Sequence, residues 1–237
     1  MKRGQCWLFL TLIASILLGT SLGAFAEGIG TVTQMGLNNN AHVYQEAFSE
    51  VIVMQRGNEN SVSIDHEGTE HVTGIGQVGD ENKFEAKQLG QRALISTIQL
   101  GVGHYANIAQ SHLAATGLAA RNIFDNDAFA YQTGLEQILN LMQIGDDNTA
   151  SVYQMDTNNE AYIIQEQSLL VTGPNAVFIV QLGTGNRVTS QQSGSHHHAR
   201  AVQAGNENRI VINQNGTDNT STVRQTGNDN TATINQG

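Results

Sequence analysis

The sequence predicts an all-β chain, a two-sheet parallel β-solenoid of about nine 22-residue coils. Three observations carry this expectation. A glutamine returns every 11 residues along most of the chain. A glycine two residues later and an asparagine five residues later often follow it. An aliphatic residue usually stands two positions before it, on the same side of an extended strand.

The first element in chain order is a leader. Lys2 and Arg3 precede an apolar run from Trp7 to Leu18, and small residues end at Ala24-Phe25-Ala26. This order predicts a secretory signal peptide over residues 1–26, with the mature chain starting at Glu27. The run is short for a bilayer span and no later apolar stretch replaces it, so no membrane span is expected. Cys6, the only cysteine, falls inside the leader, and the exported chain is expected to fold without disulfides. Loss of Lys2 and Arg3 leaves nine basic residues against 21 acidic ones, a formal charge of −12. Such a chain is a poor binder of nucleic acid, whose proteins neutralise phosphates with basic residues.

The repeats fill residues 27–237. Their anchors are Gln34, Gln45, Gln55, Gln77, Gln88, Gln99, Gln110, Gln132, Gln143, Gln154, Gln165, Gln181, Gln192, Gln203, Gln214, Gln225 and Gln236, with His66 and Arg121 in the same frame. One residue is missing between Gln45 and Gln55, and five are inserted before Gln181, giving a bulge at 166–174 that holds Pro174. The residues two before the anchors run from Val43 to Ile234 and are aliphatic except at Thr97 and Ser190. Glutamine and aliphatic residue therefore share one face, the interior, while residues such as Tyr153 point outward. Each Gly-x-x-Asn segment supplies the tight turn. One strand and one turn per unit give 18 units of about 11 residues, two per coil. The stretch from Gln110 to Arg121 lacks the glycine and asparagine marks, but retains the spacing and is expected to form a degenerate coil.

Stacked coils place Gln203 over Gln181 and Gln225 over Gln203, and likewise Gln192, Gln214 and Gln236. Each buried amide then donates to one neighbour and accepts from the other, forming a ladder. Asn39, Asn60, Asn82, Asn126, Asn148, Asn159, Asn175, Asn186, Asn208, Asn219 and Asn230 are expected to form a second set of rungs at the turns.

The units Gln143-Ile-Gly145-Asp-Asp-Asn148-Thr-Ala150-Ser-Val-Tyr-Gln154 and Gln225-Thr-Gly227-Asn-Asp-Asn230-Thr-Ala232-Thr-Ile-Asn-Gln236 resemble the curlin repeat. That family comprises the major and minor subunits of curli, the amyloid fibres of bacterial surfaces. The resemblance covers essentially residues 29–237. It implies an amyloid-like solenoid subunit, carried through the periplasm and the outer membrane by dedicated export and assembly proteins. It also implies partnership with itself or another curlin, at the cell surface or in an extracellular fibre of adhesion and biofilm matrix. The regular C-terminal half suits a polymer subunit. His66, Arg121, Leu139, Ile210 and the bulge suit a minor subunit that nucleates a partner.

The mechanism expected from the repeats is filament growth. The chain ends at Gln236-Gly237, one residue past an anchor, and no polar capping unit is expected at either end. Open edges would template another copy, and head-to-tail addition without closure makes a filament. Other functions fit less well. Outward carboxylates such as Asp65 and Glu85 lie on different coils, so no catalytic site is expected. Strand parity points His197 inward and His196 and His198 outward, so no metal site is expected, and nothing calls for a cofactor. Thr220 and Thr222 face the opposite side from Thr231 and Thr233, against the flat threonine array of a monomeric ice-binding solenoid. Binding of ice or a surface ligand is nevertheless the alternative of a different class.

Overall fold

The turn chemistry of the repeat sets the chain path. The residue four after an anchor takes a left-handed conformation in nearly every unit, as at Glu59 (φ 57°), Glu81 (φ 58°) and Asp229 (φ 56°). This conformation is unfavourable for a residue with a Cβ. Here the backbone N–H it turns inward is used: Glu59 N–H donates to Leu37 O (2.9 Å) and Glu81 N–H to Asn58 O (3.0 Å) of the preceding coil. Glycine stands two residues after most anchors, where the backbone takes a positive φ; Asp156 takes the same position at φ 81°. Gly57 has φ +121°, and a Cβ there would lie 2.0 Å from Gly79 O.

A computed structural model describes residues 28–45, 48–111, 125–167 and 173–237. Its strands are β1 (Ile29–Met35), β2 (Asn40–Gln45), β3 (Glu50–Arg56), β4 (Ser61–Thr69), β5 (Val72–Asp80), β6 (Lys83–Gln91), β7 (Leu94–Val102), β8 (Tyr105–Ser111), β9 (Asp127–Leu135), β10 (Ile138–Ile144), β11 (Thr149–Thr157), β12 (Glu160–Glu166), β13 (Ala176–Thr184), β14 (Arg187–Ser195), β15 (His198–Ala204), β16 (Arg209–Thr217), β17 (Thr220–Thr226) and β18 (Thr231–Gln236). The odd-numbered strands form one nine-stranded sheet and the even-numbered strands another, each in chain order. All pairs are parallel and in register, with Gln55 beside Gln77 and Gln192 beside Gln214. The predicted two-sheet β-solenoid of about nine coils is therefore the fold. Among the described residues no helix is long and apolar enough to cross a membrane.

The two sheets enclose a thin core of alternating side chains. Val51, Val53, Ile64, Ile75, Phe84, Ile95, Ile108, Leu139, Ile163, Ile179 and Ile212 are buried in it, interspersed with Ala106, Ala130, Ala161 and Ala201. Small residues are needed because the facing sheets leave room for only one large layer. Thr97 and Ser190 occupy the same inward position, each burying its hydroxyl without a hydrogen-bond partner.

One expectation is corrected. Gln99 pairs with Gln132 and Gln110 with Gln143, each across 33 residues. The unit anchored at Arg121 therefore takes no rung between them. An insertion of one repeat length leaves the 11-residue frame intact, so the spacing alone did not reveal it. Residues 112–124 themselves lie outside the described residues, as do the leader at 1–26 and residues 168–172 of the bulge. That bulge sits between strands of different sheets: Gln154 still pairs with Gln181 and Gln165 with Gln192.

Candidate functional site

Alternation along each strand drives the anchor side chain into the core, just inside the following turn. Gln77, Gln132, Gln154 and Gln181 are fully buried. In the odd sheet one continuous amide chain results. The Nε2 of Gln34, Gln55, Gln77, Gln99, Gln132, Gln154, Gln181 and Gln203 each donates to Oε1 of the next anchor, ending on Gln225, at 2.7–3.1 Å. In the even sheet the chain runs from Gln88 through Gln110, Gln143, Gln165, Gln192 and Gln214 to Gln236 at 2.8–3.0 Å. The second N–H of most of these amides reaches across the core to a backbone carbonyl of the facing sheet, as Gln77 does to Ser61 O (3.2 Å) and Gln203 to Arg187 O (3.2 Å). Most of these amides therefore tie their coil to the next and tie the two sheets together. Both ladders have the same polarity, with donors directed toward the C-terminal coil.

Gln45 is not joined to the even ladder. Its strand neighbour is His66, and the Nε2 of Gln45 and Nδ1 of His66 are both buried without a partner. The ladder resumes through a detour. Thr73, from the facing sheet, donates to Gln88 Oε1 at 2.8 Å, so His66 Nε2–H must donate to Thr73 Oγ1, also at 2.8 Å. Burial, with a smaller contribution from the neighbouring His71, pushes the His66 pKa down to about 3.

The asparagines divide into two columns, one at each turn of the coil. At the turns before even strands they form amide rungs: Asn60 donates to Asn39, Asn82 to Asn60, Asn186 to Asn159, Asn208 to Asn186 and Asn230 to Asn208, at 2.9–3.0 Å. These rungs run opposite to the glutamine ladders. Several also cap the glycine turn of the next coil, as Asn60 caps Gly79 O (2.7 Å) and Asn208 caps Gly227 O (2.7 Å). At the turns before odd strands the side chains bind backbone instead. Asn126 Oδ1 accepts from Asn148 N–H (3.0 Å) and Asn175 Oδ1 from His197 N–H (3.1 Å), while Asn219 Nδ2 donates to Asn215 O (2.6 Å).

Three histidines replace asparagine in these columns, of which sequence reasoning singled out only His197. His71 and His104 are the others, each five residues after an anchor, and that offset was the available signal. In all three, Nε2 lies against the carbonyl four residues back: Glu67 O (3.3 Å), Leu100 O (3.1 Å) and Ser193 O (3.2 Å). A carbonyl only accepts, so Nε2 carries the proton. Nδ1 then accepts the N–H of the next coil, from Ala93 (3.4 Å), Gln137 (3.3 Å) and Asn219 (3.3 Å) respectively. The ring reproduces the donor and acceptor of an asparagine amide. Burial lowers the pKa of His71 and His104, against a smaller opposing effect of their backbone hydrogen bonds. His197 is buried, whereas His196 and His198 are exposed.

The arrangement offers a column of polar bonds that repeats at every coil and can be continued by any coil of the same sequence type. Comparison with curated proteins returns no match. A family model, that of the curlin associated repeat, matches residues 205–237, the segment that carries β16 to β18. The resemblance read from the glutamine, glycine and asparagine spacing is thus supported by a family match at the C-terminal coils, and there the chain carries the curlin associated repeat.

Proposed function

We propose that this chain is a secreted structural subunit of an extracellular curli-type amyloid fibre and polymerises by head-to-tail stacking of its coils. The observation that carries the reading is the directional ladder. Each coil donates glutamine Nε2 groups to the next and receives asparagine Nδ2 groups from it. The described residues place β1 and β2 at one edge of the sheets and β17 and β18 at the other. A second copy laid with its β1–β2 edge on the β17–β18 edge of the first meets donors with acceptors. Head-to-head stacking sets like groups against each other. Edge strands add the backbone pairing that templates an incoming chain. The curlin repeat at 205–237 supports a structural role over a catalytic one. It also supports a place at the cell surface, with export and assembly proteins acting on the chain before it folds.

The test is polymerisation of the purified chain lacking residues 1–26, followed by thioflavin fluorescence and fibre diffraction. Fibres with a meridional spacing of about 4.8 Å are expected. A chain that stays monomeric for days at high concentration, with no cross-β reflection, sinks the proposal. A second reading, a minor subunit that nucleates a partner, is favoured by the His66 interruption of the even ladder. It predicts immediate aggregation that shortens the lag of a partner curlin. A subunit that builds the fibre itself shows its own lag and growth.

A further inference from the structure

The two outer faces of the solenoid differ in chemistry. On the even sheet charged pairs stand on the outward side of β4 and β6 and of β12 and β14, with the uncharged outer sides of β8 and β10 between them: Lys87 lies 3.1 Å from Glu67 and 3.4 Å from Asp65, Lys83 2.8 Å from Glu85, and Arg187 2.7 Å from Glu160. On the odd sheet the outward positions flanking each buried glutamine carry no charge from β5 to β13. They include Ile98, Leu100, Tyr131, Tyr153, Val180 and Leu182, all partly exposed. Phe129 and Phe178 stand on either side of Tyr153, with ring centroids 5.3 and 5.8 Å away. Charge returns at the margins, with Arg56 on β3 and with Arg200 on β15, whose guanidinium lies 5.6 Å from the Phe178 ring. No described strand packs over this face.

We propose that the odd face is a lateral docking surface for the odd face of a second copy of this chain, so that the fibre is built from paired solenoids. The area is adequate. Five strands, β5 to β13, at a spacing of about 4.8 Å and about 20 Å of strand give about 480 Å² per copy. Two such faces bury about 1,000 Å², the lower bound for a specific interface. The faces are flat because the strands stack in register, and two apolar sheet faces pack about 10 Å apart. Charge selects the occupant. The chain carries a formal charge of −10, which repels anionic lipid and nucleic acid. The uncharged strip is where two acidic copies meet without opposing carboxylates. The paired fibre rests on the stacking reading, since stacking repeats the strip once per chain along the fibre.

Mass per length, measured by scanning transmission electron microscopy, tests the pairing. Nine strands at about 4.8 Å give a rise of about 43 Å per chain. Wild-type fibres are expected to hold two chains per rise. Ile98→Lys and Tyr153→Lys, each made separately, are expected to halve that value with the cross-β spacing retained. Asn140→Lys, on the opposite face, is expected to leave it unchanged. Wild-type fibres with one chain per rise overturn the proposal, as do both odd-face variants keeping two. Should no fibre form, stacking fails, and the pairing is read by sedimentation equilibrium of the soluble chain. A dimer that both odd-face lysines dissociate supports it, and a wild-type monomer overturns it.

Discussion

His104 shows how finely the stack is specified by single side chains. Its ring donates to Leu100 O and accepts from Gln137 N–H, a pattern that asparagine also makes at Asn186. His104→Asn is therefore expected to leave stability within about 0.5 kcal/mol, while His104→Leu orphans a buried N–H and a carbonyl and costs about 2 kcal/mol. Guanidinium melts of the two variants check this contrast. The same ring chemistry sets a pH dependence. Burial holds His66, His71 and His104 below the usual histidine range, so the native chain keeps them neutral while the unfolded chain protonates near pH 6.5. Their contribution is fully present above pH 6.5. For His66 it is lost as pH falls from there toward about 3, on the order of a few kcal/mol. The unfolding midpoint is expected to drop between pH 7 and pH 4. His66→Gln, which restores an amide beside Gln45 and Gln88, is expected to drop less. Equal acid sensitivity of the two chains would contradict this assignment.

At the scale of the element, a strand and its turn were legible because each part leaves a separate mark. Alternation fixed which side of the strand is buried, and the Gly-x-x-Asn spacing fixed where it turns. The turn is the least forgiving part. Gly57→Ala brings a Cβ within 2.0 Å of Gly79 O at φ +121°, and is expected to destabilise by about 3 kcal/mol in a denaturant melt. What the spacing could not reveal is whether a unit in frame is also a rung. Residues between Gln110 and Gln132 keep the 11-residue frame, yet β8 and β9 pair with neighbours 33 residues away. Deleting residues 113–123 restores the 22-residue separation seen between Gln55 and Gln77. The deletion is expected to preserve all the strands and shift Tm by no more than a few degrees, as read by circular dichroism. Loss of the cooperative transition would show that the segment supports the stack. The split of the asparagines into two columns was hidden for a related reason: the two turns of a coil share a sequence pattern but bond to different partners.

For the whole molecule, the skipped unit also concealed which outward residues share a face. With Arg121 counted as a rung, Ile98 and Leu100 would share a face with Met142 and Ile164 rather than with Tyr131 and Tyr153. Only the pairing of Gln99 with Gln132 sorts these residues onto one sheet. The direction of the ladders governs growth in the proposed fibre. Gln236 accepts from Gln214 at 2.9 Å, and its own Nε2 is the donor offered to a copy stacked beyond β18. Gln236→Glu keeps the acceptor for Gln214 but presents a carboxylate to the Gln45 oxygen of the next chain. The coils beneath retain their bonds, so the isolated variant is expected to show the far-UV spectrum of the wild type. It can still add to a fibre through its β1–β2 edge, after which that fibre end stops. Trace amounts are therefore expected to leave wild-type fibres growing from one end only, as followed by two-colour fluorescence microscopy of single fibres. Undiminished growth at both ends would mean that the amide ladder does not direct addition, and backbone pairing of the edge strands would then have to set fibre polarity alone.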